Sequence, residues 1–118
     1  MPSAQPNYLF RFYMGQIVLS PIVREAVSTS EQFAAFVDES LNYHAHCDWG
    51  SISPRIWDKN ELAIREGDRI YSMYGCASLI DLPGDDLLCI ITTADRSATF
   101  VCAACEETDI DLALVAPQ

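Results

Sequence analysis

Residues 87–103, with the sequence LLCIITTADRSATFVCA, carry the clearest structural pattern in this chain. The run at 87–93 is continuously apolar, which predicts a central strand that is covered on both faces. Asp95-Arg96-Ser97 is typical of a turn, and residues 98–103 return as a second strand. This stretch therefore predicts an antiparallel pair of strands at the centre of a sheet.

Two further strands are predicted on the N-terminal side of this pair. Residues 69–76 form one of them, and a turn at 82–86 connects it to the central strand. The other lies in 8–20, a segment rich in aromatic and β-branched residues whose core is Ile17-Val18-Leu19. The sheet is thus predicted to be a β-meander of three to four antiparallel strands.

The segment between these strands has the pattern of helices. Pro21 is expected to open a short helix over 22–27. A longer helix over about 30–45 is predicted by one apolar stripe, with Ser28 as N-cap and Glu31 completing a capping box; the stripe consists of Phe33, Phe36, Val37 and Leu41. A further helix is expected to start at 58–61 and to end at Gly67.

Taken together, the pattern predicts an α+β fold in which the antiparallel meander packs against two N-terminal helices. We expect one domain over 1–118, with a loose arm at 1–7 and an acidic C-terminal segment at 107–118. The chain shows neither a secretion signal nor a membrane-spanning run, and its five cysteines are an odd number. These features indicate a cytoplasmic protein with reduced thiols.

The charge of the chain is strongly negative and unevenly distributed. Seventeen acidic residues against seven basic ones give a net charge of −10, and residues 81–118 hold eight acids against Arg96 alone, a net of −7. Such a chain does not favour nucleic acid or anionic membranes, because it lacks the cations that neutralise phosphate. It favours a basic partner, although acidity also serves solubility alone.

Histidines and cysteines offer a metal or thiol site as an alternative. Cys102 and Cys105 form a CxxC pair, and the run His44-Ala45-His46-Cys47 could supply two more zinc ligands. However, Cys102 lies inside a predicted strand, and no βαβ pattern frames the pair as a redox motif. We therefore predict neither metal nor cofactor.

A nucleophilic site built from Cys47, His44 and Asp48 is equally weak, because proximity in sequence does not place such groups together in space. His44 is more simply expected to pack at a helix C-terminus, whose partial negative charge would favour the protonated ring. The chain also carries no GxSxG, P-loop or GxGxxG motif. We expect no enzymatic activity.

From about residue 16 to 107 the chain resembles short bacterial proteins carried on plasmids and integrated elements, catalogued as plasmid-related proteins or under a borrowed restriction-subunit name. Three stretches carry the resemblance: HAHCDWG at 44–50, Asn60-Glu61 followed by GDRIYSMY at 67–74, and ITTADRSAT at 91–99. The family tends to glycine at Cys47 and to an aliphatic, proline-containing ending at 101–105. The resemblance implies a mobile-element setting and transfers no catalytic residue.

These stretches also have a purely structural interpretation. Trp49-Gly50 would anchor a helix-to-loop junction, Asp95 and Ser97 would bind turn amides, and Arg96 would contact Asp48 or Asp95.

Charge and resemblance together lead to one functional hypothesis. We expect a non-enzymatic inhibitor that binds a basic, nucleic-acid-binding complex of a host defence system, of the anti-CRISPR or antirestriction type, by imitating phosphate charge. The expected partner-binding residues are Asp85, Asp86, Asp95, Arg96, Glu106, Glu107, Asp109 and Asp111. The alternatives are a small metal- or thiol-dependent enzyme and an oligomeric accessory protein, which the aromatic N-terminal strand would pair.

Overall fold

The structure is a computed structural model that describes residues 12–76 and 86–104. Within these ranges the chain forms four strands and three helices. In chain order they are β1 (Gln16–Leu19), α1 (Pro21–Thr29), α2 (Glu31–Ala45), α3 (Pro54–Glu66), β2 (Ile70–Gly75), β3 (Leu87–Thr92) and β4 (Ala98–Ala103).

The strands form one sheet in the order β1-β4-β3-β2, with helices preceding most of it in sequence, so the predicted α+β class is confirmed. Strands β2, β3 and β4 are antiparallel, as predicted for a meander. The prediction was wrong for β1, which runs parallel to β4 from Gln16↔Ala98 to Leu19↔Val101. A parallel neighbour requires a long crossover, and the intervening helices and strands provide it.

The central strands are buried on both faces, as the apolar run predicted. Leu88 and Ile90 face α1 and α2, where they form the main core with helix residues such as Phe33. The alternate residues Cys89 and Ile91 lie on the opposite face and are also fully buried. We refer to the first face as the helix face and to the second as the far face.

The helix starts differ from the predicted ones. Ser30 is the N-cap of α2, and its hydroxyl accepts a hydrogen bond from Phe33 N at 3.1 Å. Ser28, the predicted cap, lies in the last turn of α1, because α1 continues to Thr29. Helix α3 begins at Pro54 rather than near 58, with Ser53 as N-cap and proline at the first position, where its missing N–H costs nothing.

The predicted end of the same helix is confirmed, since Gly67 has the left-handed conformation of a C-cap with φ 76°. None of the helices in the described ranges is long and apolar enough to cross a membrane.

Candidate functional site

His44 lies at the centre of a buried hydrogen-bonded chain on the helix face of the sheet. It is fully buried near the end of α2, and both of its ring nitrogens have partners on strands. Nδ1 lies 2.6 Å from the Ser72 hydroxyl on β2, and Nε2 lies 2.9 Å from the Thr92 hydroxyl on β3. The Thr92 hydroxyl in turn contacts Thr99 on β4 at 2.7 Å.

The far end of this chain fixes the direction of the hydrogen bonds as far as Nε2 of His44. Thr99 donates its hydroxyl proton to the Met14 carbonyl, which can only accept. Thr99 must therefore accept from Thr92, and Thr92 must accept from Nε2–H of His44. In a neutral imidazole Nδ1 is then unprotonated and accepts from Ser72. A neutral ring therefore satisfies every hydrogen bond of the chain.

The electrostatics agree with this assignment and correct the sequence-based expectation of a protonated ring. Burial, and after it the positive charge of Arg96, lower the pKa of His44 from 6.5 to about 3. Desolvation therefore outweighs the partial negative charge at the end of α2. A fully buried ring with both nitrogens engaged also has no free group to act as a base on a substrate.

Stability should consequently fall as the pH is lowered from 6.5 towards 3. In this window the unfolded state binds a proton at His44 that the folded state does not, so the free energy of unfolding decreases by roughly 1 kcal/mol per pH unit. Urea unfolding at pH 7, 6 and 5 measures this slope. The His44→Gln variant should lose most of it.

The matched control is His46→Gln, because His46 is only partly buried. This variant should keep the wild-type slope. Asp95, whose pKa is lowered to about 2 by hydrogen bonds from Ser97 and Thr93, loses its stabilising effect only below about pH 4 and so does not interfere. Equal slopes in wild type and His44→Gln would contradict the assignment of a neutral buried ring.

The loop after α2 attaches to the outer edge of β2 through its main chain. Met73 N donates to the Trp49 carbonyl at 3.1 Å, and Ser51 N donates to the Met73 carbonyl at 2.8 Å. The Tyr74 hydroxyl also donates to the Asp48 carbonyl at 2.6 Å. The Asp48-Trp49-Gly50 stretch is therefore a structural junction, as its structural interpretation predicted.

Around this junction the aromatic rings form a second cluster. Trp49 is fully buried, and its ring lies 5.7 Å from His44, 6.1 Å from Phe12 and 6.4 Å from Trp57 between centroids. Among the described residues its Nε1 finds no hydrogen-bond partner, and the rings of His44 and Trp57 make T-shaped contacts with it. Cys47, which packs against this cluster, has φ 67°. A positive φ favours glycine, the residue that the resemblance implies there.

Asn60 completes the outer edge of β2 in a way that the sequence did not indicate. Its side-chain Nδ2 donates to the Tyr71 carbonyl at 2.6 Å, and its Oδ1 accepts from Tyr71 N at 3.1 Å. A buried amide thus replaces the peptide group of a neighbouring strand. Together with the contacts of Met73, it satisfies the outward main-chain groups of Tyr71 and Met73 in β2.

Arg96 is a structural residue of the described fold rather than an outward-facing one. Its Nη1 donates to the carbonyls of Asp68, Thr93 and Ala94 at 2.7, 2.9 and 3.2 Å, and its Nη2 donates to the Ala63 carbonyl at 3.0 Å. The expectation that it contacts a carboxylate is corrected by these bonds, since all four acceptors are main-chain carbonyls. The guanidinium thereby ties the end of α3 to the β3–β4 turn.

The described acidic candidates do not lie side by side. Asp95 occupies the β3–β4 turn, where its Oδ1 accepts from Ser97 N at 2.9 Å and from the Thr93 hydroxyl at 2.8 Å. Asp86 precedes β3 at the other end of the strand, so the two are roughly 25 Å apart at ~3.4 Å per residue. The remaining acidic candidates, Asp85, Glu106, Glu107, Asp109 and Asp111, lie outside the described residues.

The described cysteines and His44, on which the thiol and metal alternative depends, do not meet in one site. Cys102 pairs with Cys89 on the far face of the sheet, whereas His44 lies on the helix face, so the two cannot bind one ion. Burial raises the pKa of the Cys76 thiol, which disfavours a thiolate. Among the residues that the structure describes, no three His, Cys, Asp or Glu side chains are grouped to hold a metal. Cys105 lies outside them.

The described surface has a different acidic feature on α2. Glu31, Asp38 and Glu39 are exposed there and follow one side of the helix over about 12 Å, at 1.5 Å per residue. Tyr43 continues this side, is 43% exposed and lies 6.2 Å from Tyr74 between ring centroids. We call these four residues the α2 acidic face.

The net charge of α1 and α2 contrasts with that of α3. Residues 21–45 carry one basic and four acidic side chains, a net of −3, while residues 54–66 carry three of each and cancel. The α2 acidic face therefore lies in the part of the described fold where negative charge is not balanced locally.

The fold and these sites define an α+β domain with a mixed four-stranded sheet, a sealed polar chain and an acidic helix surface. Comparison of the chain with models of protein families, with curated proteins and with solved structures finds no match.

Proposed function

We propose that this chain is a non-enzymatic, cytoplasmic inhibitor from a mobile element that binds a basic, nucleic-acid-binding complex of a host defence system, of the anti-CRISPR or antirestriction type. The observation that carries the proposal is the negative charge of −10, part of which is displayed without compensation on the α2 acidic face. Exposed carboxylates, such as Glu31 and Asp38 on one side of the helix with Glu39 beside them, attract a groove that normally binds phosphates and raise the rate of association.

The hydrogen bonds that His44 and Arg96 already make inside the fold support a binding role over a catalytic one. His44 is sealed inside the fold, and Arg96 is occupied by four carbonyls. Two aromatic rings, Tyr13 and Tyr43, are exposed on the described surface, and Tyr43 lies beside the carboxylates of the α2 acidic face. Aromatic side chains are frequent anchors at the centre of protein interfaces. Carboxylates around such an anchor would set the orientation of the bound partner and the salt dependence of binding.

The mechanism that we propose is competition for the nucleic-acid channel. Duplex DNA presents one charge per about 1.7 Å of its axis, so an imitator needs several carboxylates in line. The α2 acidic face supplies three of them, and the acidic residues between 81 and 118 are proposed to add to the same surface charge. Interaction would weaken as salt is raised, because exposed charges are screened.

The test measures DNA binding by a purified Cascade-type surveillance complex and DNA cleavage by a purified restriction endonuclease, each with and without the protein, at about 50 and 200 mM salt. We expect inhibition of at least one of them, stronger at low salt. The triple variant Glu31→Lys, Asp38→Lys, Glu39→Lys should weaken inhibition by about tenfold or more.

The matched control reverses three acids on α3, where the local charge is balanced: Asp58→Lys, Glu61→Lys, Glu66→Lys. It changes the net charge by the same amount and should keep most of the inhibition. A third variant, with lysine at Asp85, Asp86, Glu106 and Glu107, measures how much these acidic residues contribute to inhibition. Absence of inhibition of either complex at either salt concentration contradicts the proposed function.

A further inference from the structure

A cavity of about 350 Å³ lies where the first turns of α3 meet the far face of the sheet. The 51–53 loop and the α3 residues Ile56 and Lys59 line one side of it, and Met73 and Cys89 line the sheet side. Its volume is at the lower end of the range for small-molecule sites. Ser72 belongs both to this lining and to the His44 chain, whereas His44, Thr92 and Thr99 are not part of the lining.

The lining combines an apolar body with a few polar groups. Ile52, Ile56 and Met73 provide aliphatic and thioether surface. Ser51 belongs to the same lining, and in the described part of the chain its hydroxyl makes no hydrogen bond. This composition is typical of sites that hold a small ligand by its apolar part and orient it by one polar end.

The ammonium group of Lys59 gives this cavity its charge preference. Lys59 is exposed, and within residues 12–76 and 86–104 its side chain has no hydrogen-bonded or ionic partner. Arg96 and Arg24, by contrast, donate to main-chain carbonyls. In a protein with a net charge of −10, an unengaged cation at a cavity marks a local preference for an anion.

From this combination we infer that the cavity binds a small organic monocarboxylate, with its carboxylate on Lys59 and Ser51 and its hydrocarbon part against Ile52, Ile56 and Met73. A single lysine in a strongly negative protein suits a single negative charge better than a phosphate dianion. The volume accommodates roughly ten non-hydrogen atoms, at about 30 Å³ for each water-sized group. This activity is additional to the proposed partner binding and does not depend on it.

The experiment titrates octanoate into ¹⁵N-labelled full-length protein and follows amide chemical shifts. Saturable shifts are expected for the amides of Ile52, Ile56 and Met73, with little change at Phe33 in the main core. Octanamide has the same hydrocarbon part without the charge and should bind about tenfold more weakly, the effect of one lost charge-assisted hydrogen bond. Inorganic phosphate should cause no saturable shift at these amides.

The variant Lys59→Met keeps the length of the side chain and should weaken octanoate binding by about tenfold. Arg65→Met on the same helix removes the same charge away from the cavity lining and should leave binding unchanged. The inference is overturned if octanoate causes no saturable shifts, if octanamide binds as well as octanoate, or if both variants behave alike. It is also overturned if phosphate binds at these amides instead.

Discussion

Replacing Gly50 with alanine should lower the free energy of unfolding by about 4 kcal/mol. Gly50 has φ 76°, and an added Cβ would overlap the Met73 carbonyl oxygen and the ring of Tyr74. The left-handed conformation alone costs an L-residue about 1–2 kcal/mol. The overlap adds to this, because the carbonyl of Met73 cannot move without breaking its bond to Ser51 N. Urea denaturation followed by tryptophan fluorescence measures the change.

Gly67→Ala provides the matched control for this variant. Gly67 has the same φ of 76°, but an added Cβ would meet nothing within 4 Å. Its cost should therefore be limited to backbone strain, about 1 kcal/mol. Equal losses in the two variants would show that the close approach of the loop to β2 does not contribute to stability.

The second large effect is expected for Arg96→Met, which should lose about 3 kcal/mol of stability. Methionine keeps an aliphatic side chain but removes the guanidinium, whose carbon lies 5.8 Å from the Phe12 ring centroid. It removes the donors to four carbonyls, including that of Ala63 at the end of α3. The loss should appear in thermal and urea unfolding and should not require any partner.

Two further variants identify the cause of this loss. Arg96→Lys keeps the positive charge but not the planar fork, and it should recover less than half of the stability. Arg24→Met removes an exposed arginine whose one acceptor in the described part of the chain is the Leu19 carbonyl, and it should cost less than about 1 kcal/mol. If Arg96→Met were as stable as wild type and affected only inhibition, Arg96 would be a partner-binding residue as the sequence suggested.

Local patterns predicted most of the elements because local chemistry determines them. Successive side chains of the run at 87–93 point to opposite faces of the sheet and are apolar on both. Strand β3 is indeed covered on both faces. The start of α3 was missed although Ser53-Pro54 is a recognisable N-cap and first-turn pair. The parallel direction of β1 had no local signal, since it depends on where a distant strand lies.

The candidate site was harder to predict, because its members meet only in the folded chain. The pairing of His44 with Ser72 and Thr92 spans 28 and 48 residues of sequence. Asn60 gave no sign of its role, since a helical asparagine is usually solvated and nothing nearby indicates a strand edge. Arg96 was predicted to bind a partner or a carboxylate, whereas the backbone carbonyls that it contacts have no signal in a sequence.

The two rims of the sheet differ, and this difference limits how copies of the chain can associate. At the β2 rim, Asn60 and the 49–51 loop occupy the outward peptide groups of Tyr71 and Met73, which blocks a foreign strand from adding along this stretch. Among the described residues, no strand lies beside the outer rim of β1. If two copies paired through β1 around a twofold axis, the β1 rim of each copy would be occupied by the other. Such growth would stop at a pair and could not continue into a fibre.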